Sequence, residues 1–395
     1  MIEIPTASGW LTVTVFAALP SIGLIAGPSY ALLVFGFGVA QAALGAAQRR
    51  WPPIDWQPTL LALALVVLCW ASVGWSVNPA RSAMAALQVT AVLAGALLAL
   101  ASPPPGPEAA DRLFRVMAIA TAAGCIILVL DTLFDYTLQQ HLLHRPPPMV
   151  GTKYNRGMDH LTLIVWPVLG FHAWRRDWRA ALLMGVPLVG AVAVTLSLAA
   201  KAAMATGLAL LLLALWLPRL IAPALAAGMV VLAAGTPIGL HLLAEERTAL
   251  ASHLKISGLH RLEIWDHVTT HLFERPLLGW GIGSSSELPM PPQELRHYVI
   301  LNGNDIYAHD QWLELWVETG ALGALLGLCL ALLILLRIRR ASAEIRPFAY
   351  AAFGAGVLIS CVNFEVMTDS WWAAVAACAF LFVTLDHAVV SAERA

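Results

Sequence analysis

Long apolar runs, separated by short polar breaks, follow one another along almost the whole chain. Each run has about 20 residues, the length of α-helix that crosses a hydrocarbon core about 30 Å thick. The runs predict twelve membrane-spanning helices, near 9–26, 29–47, 57–76, 82–101, 113–131, 159–173, 180–198, 202–217, 221–243, 313–336, 347–366 and 371–391. Two longer polar stretches, 132–158 and 244–312, interrupt the series as loops. The pattern predicts one all-α polytopic membrane domain over residues 1–395, with short amphipathic helices in the long loops.

The boundary between the seventh and eighth predicted spans is weakly marked, because only Ser197 and Lys201 interrupt the apolar residues there. A single helix over 180–217 would exceed the thickness of the bilayer even when tilted. We therefore expect a turn near Lys201.

Composition agrees with a membrane protein. The hydrophobic share is 59%, only 12% of the residues are charged, and the mean hydropathy is +0.75. Length alone suggests about two or three globular domains, but that expectation assumes water as the solvent. The five cysteines fall inside apolar spans, so we expect small core residues rather than disulfides. The chain begins without a basic segment or a small-residue cleavage site, so the first span is expected to be retained.

Basic residues are distributed unevenly over the short connections. If both termini are cytoplasmic, the inner segments contain Arg49, Arg50, Arg112, Arg115, Arg175, Arg176, Arg179, Arg219, Arg337, Arg339, Arg340, Arg346 and Arg394. The short outer turns contain only Arg81 and Lys201. Short loops rich in Lys and Arg stay in the cytoplasm. Both long loops, 132–158 and 244–312, are therefore predicted to face outward.

The second long loop opens with a helical pattern. Leu259, Leu262, Trp265, Leu272 and Phe273 recur at helical spacing, and Pro276 ends the run. We expect this helix to lie along the outer membrane surface. Arg261, one turn before Trp265, either packs on that ring or offers a bidentate donor for phosphate oxygens. The glycine-rich segment 279–283 follows no strand and is interpreted as a flexible turn rather than a dinucleotide site.

The end of the same loop contains a candidate base. His309 precedes the span that begins near Leu313, which would place its imidazole near the outer lipid boundary. A neutral histidine there can accept a proton from a sugar hydroxyl, and a pKa near 6.5 suits a base working near neutral pH. A capping or hydrogen-bonded structural histidine is the alternative. Asp305 and Asp310 are equally compatible with helix N-cap or first-turn acids.

The first long loop ends on two cations. Lys153 and Arg156 are three residues apart just before a span, so they would share one face of a helical first turn. Cations beside a helix start suit a phosphate or diphosphate head group. Interfacial side chains that extend toward the head groups are the alternative. His141 and His144 lack a nearby Cys or carboxylate set, so no metal site is predicted.

Several short motifs lie in the outer loops and directly after them: R-x3-W, P-L-x-G-x-G, A-H-D-Q-x-L-E-L and E-x-G-x-x-G, together with the segment NRGMDHL from Asn155. They are carried by Arg261, Trp265, Pro276, Leu277, Gly279, Gly281, His309, Asp310 and Gly320. In their order and spacing these motifs resemble the bacterial O-antigen ligase family, with its relatives among O-antigen polymerases and O-oligosaccharyltransferases. The resemblance covers the twelve-span layout and both long loops.

The resemblance implies an O-antigen ligase: a metal-independent, inverting glycosyltransferase without cofactor, at the periplasmic face of the bacterial inner membrane. The donor would be a glycan on undecaprenyl diphosphate and the acceptor lipid A-core, with no nucleic-acid partner. His309 and Arg261 would be catalytic, and Arg156, Lys153 and Lys201 would bind the diphosphate. Lys201 stands near the position of a Ser-Arg pair in the family, and lysine keeps the charge without the bidentate geometry.

Three alternatives stay open beside the ligase. An O-antigen polymerase would use the same residues with a second lipid-linked glycan, and an O-oligosaccharyltransferase would use them with a protein acceptor. A transporter would concentrate charges inside its spans. Only Glu365 and Asp369, near the outer end of the eleventh span, approach that pattern, so transport is the less favoured alternative.

Overall fold

The computed structural model describes residues 7–49, 54–144, 151–250, 253–254, 256–290, 298 and 307–394. Its α-helices are α1 (Ala7–Ile25), α2 (Ser29–Ala47), α3 (Trp56–Ser72), α4 (Pro79–Leu100), α5 (Pro107–Leu133), α6 (Lys153–Trp174), α7 (Trp178–Val194), α8 (Leu198–Trp216), α9 (Ile221–Glu245), α10 (Arg247–Leu250), α11 (Ile256–Glu274), α12 (Gln311–Arg340), α13 (Arg346–Val362) and α14 (Asp369–Arg394). Short 3-10 helices cover Val73–Trp75 and Ser285–Glu287, and a π-helical turn covers Leu138–Leu142.

A helix lies over each of the twelve predicted spans. Within the described ranges, nine helices are long and apolar enough to cross a membrane, namely α1, α2, α3 extended by its 3-10 turn to Trp75, α4, α5, α8, α9, α12 and α14. The apolar helices α7 and α13 are shorter, with 17 residues each. The remaining helix, α6, has 22 residues and starts with a polar turn. The all-α, multi-span fold class is confirmed, while the twelve crossings stay a prediction.

Short polar side chains begin several of these helices. Each accepts a hydrogen bond from a main-chain N–H of the first turn, which would otherwise have no partner. These N-caps are Asp55, Asn78, Asp177, Ser197 and Asp310. Replacing such a cap by Ala typically costs about 1 kcal/mol. The interruption between α7 and α8 therefore falls at the Ser197 cap, and the turn that we predicted near Lys201 lies just before it.

The predicted end of the first long loop needs a correction. We placed the loop at 132–158, but α6 already begins at Lys153. The carboxylate of Asp131, at the end of α5, accepts the hydroxyl of Tyr154 at 2.7 Å and the N–H of Leu138 at 2.6 Å. This buried carboxylate ties the first turn of α6 to α5, and residues 153–158 are helical.

The largest apolar core lies among α1, α2, α5, α6 and α14. Phe16 packs edge-on against Phe37 with centroids 5.2 Å apart and stacks on Phe380 at 4.9 Å. Helices in lipid associate through close van der Waals fit, which small residues allow. Gly157 is such a residue, because a Cβ there would collide with the main chain of Gly23 and Leu24. The first turns of α6 are thereby held against the end of α1.

A second core lies beneath the long loop, between α11 and α12. Ile264, Val268 and Leu272 of α11 are fully buried against Leu313 and Val317 of α12. These positions recur every four residues, the spacing of one helix face. The predicted helix is therefore present, but Phe273, which we assigned to its apolar face, is 46% exposed.

Helix α12 is interrupted at Gly320, whose φ of 67° and ψ of −163° belong to a region reserved for glycine. The interruption frees main-chain groups that pair with the glycine-rich segment 276–281 instead. These hydrogen bonds join Trp280 N–H to Val317 O at 2.8 Å, Gly281 N–H to Glu318 O at 2.9 Å, and Ala321 N–H to Pro276 O at 2.9 Å. The loop is thus attached to the middle of α12.

The interpretation of 279–283 as a flexible turn is wrong. Its glycines do adopt positive φ angles, as turns require, but its main chain is fixed from both sides. The buried carboxylate of Glu318 accepts the N–H of Gly283 at 2.8 Å and the hydroxyl of Ser285 at 2.9 Å. On the other side, Ser72 accepts the N–H of Ile282 at 3.0 Å. A buried acid inside α12 therefore anchors the loop.

Candidate active site

Segment 307–310 leads from the long loop into α12 and contains His309. Asp310 has extended φ and ψ angles and caps α12 by accepting the N–H of Leu313 at 2.9 Å. The N-cap interpretation of Asp310 is therefore confirmed, whereas Asp305 lies outside the described residues. Ordinary capping chemistry thus fixes the residue directly after the candidate base.

The main chain at His309 is held in a sparsely populated conformation. Its φ is +51°, in the left-handed region that disfavours residues other than glycine. The preceding carbonyl, of buried Ala308, accepts the indole N–H of Trp265 from α11 at 2.8 Å. Such strain persists only where the surroundings fix it, and it is frequent at functional sites. Trp265 of the R-x3-W motif therefore helps to orient His309.

The imidazole of His309 is half-buried and lies near several positive groups. Burial lowers its pKa to about 4, with further contributions from Arg261, His260 and Arg156, while the nearby main chain of Asn363 acts in the opposite direction. Its Nδ1 is buried and has no hydrogen-bond partner among the described residues. The low pKa leaves the ring neutral near pH 7, and it lies below the value near 6.5 that we expected.

The predicted cations come from different elements. Arg261 is half-buried on α11, where burial lowers its pKa, although a guanidinium stays charged at any physiological pH. Arg156 is exposed on α6, and its charge acts on both His309 and Glu365. The structure thus brings Arg261, Arg156 and His309 together, although their sequence positions are far apart.

Lys153 and Arg156 also line a cavity of about 310 Å³, together with Thr152 and the turn 25–28 between α1 and α2. Both cations are exposed. Helices α2 and α6 both begin at this cavity, so their positive dipole ends favour an anion there. The arrangement suits a phosphate group, and the binding of a diphosphate by Lys153 and Arg156 stays a prediction.

Lys201 lies in the first turn of α8 and is half-buried. The start of this helix reaches the site through Ser197, whose hydroxyl donates to the carboxylate of Asp159 on α6 at 2.8 Å. The other oxygen of Asp159 accepts the side-chain amide of Asn363. Lys201 is thus placed at the same end of the bundle as Arg156.

Asp159 and Asn363 are the residues that sequence reasoning missed. Asp159 is fully buried, and a carboxylate inside an apolar span is costly unless it is paired or functional. That rule could have drawn attention to it, but its partner Asn363 is 204 positions away. The carboxylate of Glu314, to which the sequence assigned no role, accepts the N–H of Val366 at 2.6 Å.

The site therefore has two walls. The α11–α12 wall consists of Arg261, Trp265 and His309, and the α6–α13 wall consists of Arg156, Asp159 and Asn363. Among the described residues, no three His, Cys, Asp or Glu side chains form a group that could hold a metal ion. What the walls bring together is a neutral imidazole and two guanidinium groups. This combination can accept a proton and stabilise an anion.

Comparison with known proteins finds similarity over part of the chain. Residues 180–328 match the family described as O-Antigen ligase, a range that includes Lys201, Arg261 and His309 but not Arg156. Two curated relatives named "Putative polysaccharide ligase", from Rickettsia conorii and Rickettsia felis, are each 29% identical over 122 residues. Each alignment covers 29% of this chain and 29% of the relative. Residues 180–328 are therefore similar to the O-antigen ligase family, and the chain aligns with less than a third of the length of these relatives.

Proposed function

We propose that the chain is an O-antigen ligase-type glycosyltransferase, which moves a glycan from undecaprenyl diphosphate to lipid A-core. The observation that carries the proposal is the neutral imidazole of His309 beside Arg261 and Arg156. The family match over 180–328 supports the same class of reaction. The uneven distribution of basic residues favours a site that faces the periplasm, with both termini cytoplasmic.

In the proposed reaction, His309 acts as a general base. As the acceptor hydroxyl attacks the anomeric carbon, its proton passes to the imidazole of His309. The bond between the anomeric carbon and the diphosphate oxygen breaks, and its electron pair leaves with the diphosphate. Attack from the face opposite the leaving group inverts the anomeric configuration. General-base catalysis of this kind contributes about 10² to 10⁴ in rate.

The cations stabilise the leaving group in this mechanism. Negative charge grows on the diphosphate as the glycosidic bond breaks, and guanidinium groups aimed at that charge lower the barrier. Arg261 and Arg156 occupy opposite walls, so a diphosphate between them would contact both. Lys153, in the adjoining cavity, and Lys201, at the start of α8, add positive charge around the same place.

Reconstitution tests the proposal directly. The purified protein, in lipid vesicles with a glycan-loaded undecaprenyl diphosphate and lipid A-core, should produce a glycosylated lipid A-core that migrates more slowly on a gel. Absence of that product from an active preparation of donor and acceptor would contradict the ligase assignment. Longer donor glycans instead would identify a polymerase, and transfer to an added protein would identify an O-oligosaccharyltransferase.

A further inference from the structure

A histidine inside α6 has polar atoms that no other described group satisfies. His160 has no exposed surface, and neither of its ring nitrogens has a hydrogen-bond partner among the described residues. Buried polar groups are nearly always paired in folded proteins, because an unpaired one is costly. The reaction proposed above gives this histidine no role. His160 is therefore a buried polar group without an assigned function.

Three aromatic rings hold this imidazole in place. Phe364 stacks on it with ring centroids 5.4 Å apart, Trp371 lies nearly parallel to it at 6.4 Å, and Tyr30 packs against it at 4.6 Å. All three rings are buried. Close packing of this kind leaves a side chain little freedom to turn. The direction of the polar edge of the imidazole is thus set by the fold.

The polar edge of His160 faces Gly27, in the turn between α1 and α2. A Cβ at Gly27 would lie 3.9 Å from Cε1 of His160 and 3.3 Å from the Cβ of Arg156. Cε1 is the ring atom between the two nitrogens, so the nitrogens flank the point at which that Cβ would stand. Because residue 27 is a glycine, its own side chain does not fill this point.

Gly27 also lines the cavity of about 310 Å³ that contains Lys153 and Arg156. Lys153, Arg156 and His160 recur at positions i, i+3 and i+7 of α6, which places them along one face of the helix. The two cations lie at the exposed end of this row, and His160 lies at its buried end. The row leads from the charged cavity to the imidazole.

We propose that His160 is a further binding residue of this cavity, whose N–H donates to a phosphate oxygen that enters beside Gly27. A neutral imidazole carries one N–H donor, and hydrogen bonds to a charged oxygen are among the stronger ones. Lys153, Arg156 and the N-termini of α2 and α6 supply the positive potential that attracts the anion. The inference deepens the proposed function and rests on it for the identity of the ligand, the diphosphate of the lipid-linked donor.

Removal of the donor tests the contact. His160→Phe keeps a ring that can stack on Phe364 and removes both nitrogens. The variant should unfold at a temperature no lower than the wild type, because no hydrogen bond to a described residue is lost. Its Kd for undecaprenyl diphosphate, measured by calorimetry in lipid nanodiscs, should rise about 10- to 100-fold, the usual effect of losing a hydrogen bond to a charged group. An unchanged Kd would overturn the proposal.

Closure of the opening tests the same contact without touching a polar group. Gly27→Ala places a methyl group between the cavity and the ring, and Gly27 is not among the glycines with positive φ, so alanine fits its backbone. The Kd should rise about tenfold or more. The double variant with His160→Phe should bind no more weakly than His160→Phe alone, because both changes break one contact.

Gly36→Ala on α2 is the matched control. A Cβ there would meet nothing within 4 Å, so this variant should bind undecaprenyl diphosphate as the wild type does. Wild-type affinity in Gly27→Ala would overturn the proposal. Additive losses in the double variant would also overturn it, since they would mean that the two residues act independently.

The choice of ligand separates the phosphate contact from the lipid chain. Inorganic pyrophosphate carries the same anionic group without a polyprenyl chain, so its Kd should rise by the same factor in both variants. A loss seen with undecaprenyl diphosphate alone would assign His160 and Gly27 to the lipid chain and overturn the phosphate contact. These measurements need neither an acceptor nor a transfer reaction. A wild type that binds both ligands but forms no glycosylated lipid A-core would instead contradict the proposed function.

Discussion

The two walls of the site are built in different ways. The α11–α12 wall comes from one stretch of chain, and main-chain groups fix it, as in the bond from Trp265 to the carbonyl of Ala308. The α6–α13 wall joins residues 204 positions apart through side chains, as in the bond between Asn363 and Asp159. The first wall lies inside the matched family range and the second lies outside it. The difference indicates that His309 and Arg261 come from one stretch of the chain. The opposite wall forms only when distant helices pack together in the bundle.

Removal of the base should give the largest effect. His309→Ala should lower the rate of transfer about 10²- to 10⁴-fold, because water must then accept the proton. The protein should remain folded and monodisperse, since His309 is half-buried in a loop. Gel-based initial rates measure the loss, with His253→Ala as a control that keeps wild-type activity. Near-normal transfer by His309→Ala would remove the α11–α12 wall from the mechanism.

Removal of the cation on the same wall, Arg261, should give the second-largest effect. Arg261→Gln should lower kcat about 10² to 10³, the usual effect of losing one donor to a developing anion. Steady-state kinetics with saturating acceptor measure it. Arg175→Gln provides the control, since Arg175 follows the opposite end of α6. An equal loss in both variants would mean that Arg261 acts only through overall charge.

The attachment of the loop to α12 can be weakened without touching a charged group. Gly320→Ala forces a Cβ into a backbone region reserved for glycine, which should cost about 1 to 3 kcal/mol of stability. Thermal unfolding in detergent should show a lower midpoint. Gly228→Ala on α9, where a Cβ would meet open space, should not lower it. Equal midpoints would contradict the role of Gly320.

The exposed cation of the second wall should have the smallest effect. Arg156→Gln should lower kcat about tenfold, less than Arg261→Gln, because water and salt screen an exposed charge. Transfer rates at low and high salt measure the difference, and the loss should shrink as salt increases. If Arg156→Gln is more damaging than Arg261→Gln, the ranking of the walls is reversed.

Most of the fold follows from the sequence, because a bilayer requires long apolar helices and their lengths are nearly fixed. The ends of the helices were harder to predict from the sequence. The start of α6 at Lys153 depends on a buried bond from Tyr154 to Asp131, which hydropathy does not report. The turn 279–283 was misjudged because glycines that fit tightly against another helix have the same sequence signature as flexible ones.

The sequence predicted those residues of the candidate site that belong to short, continuous motifs. His309 and Arg261 belong to short motifs, so sequence reasoning could name them. Asp159 and Asn363 could not be paired, because a single sequence contains no information on which side chains meet across the bundle. The lowered pKa of His309 likewise depends on burial and on Arg156 from another helix.

The pH dependence of kcat/KM tests the central claim most directly, because burial and the neighbouring cations together lower the pKa of His309. Burial, Arg261, His260 and Arg156 together hold the pKa of His309 at about 4. Below that pH the imidazole is protonated and cannot accept a proton, so wild-type activity should fall through an acid limb near pH 4. In Arg261→Gln one positive charge is gone, so the limb should move to higher pH. A wild-type limb near pH 6.5, or the same limb in both proteins, would contradict the shared site.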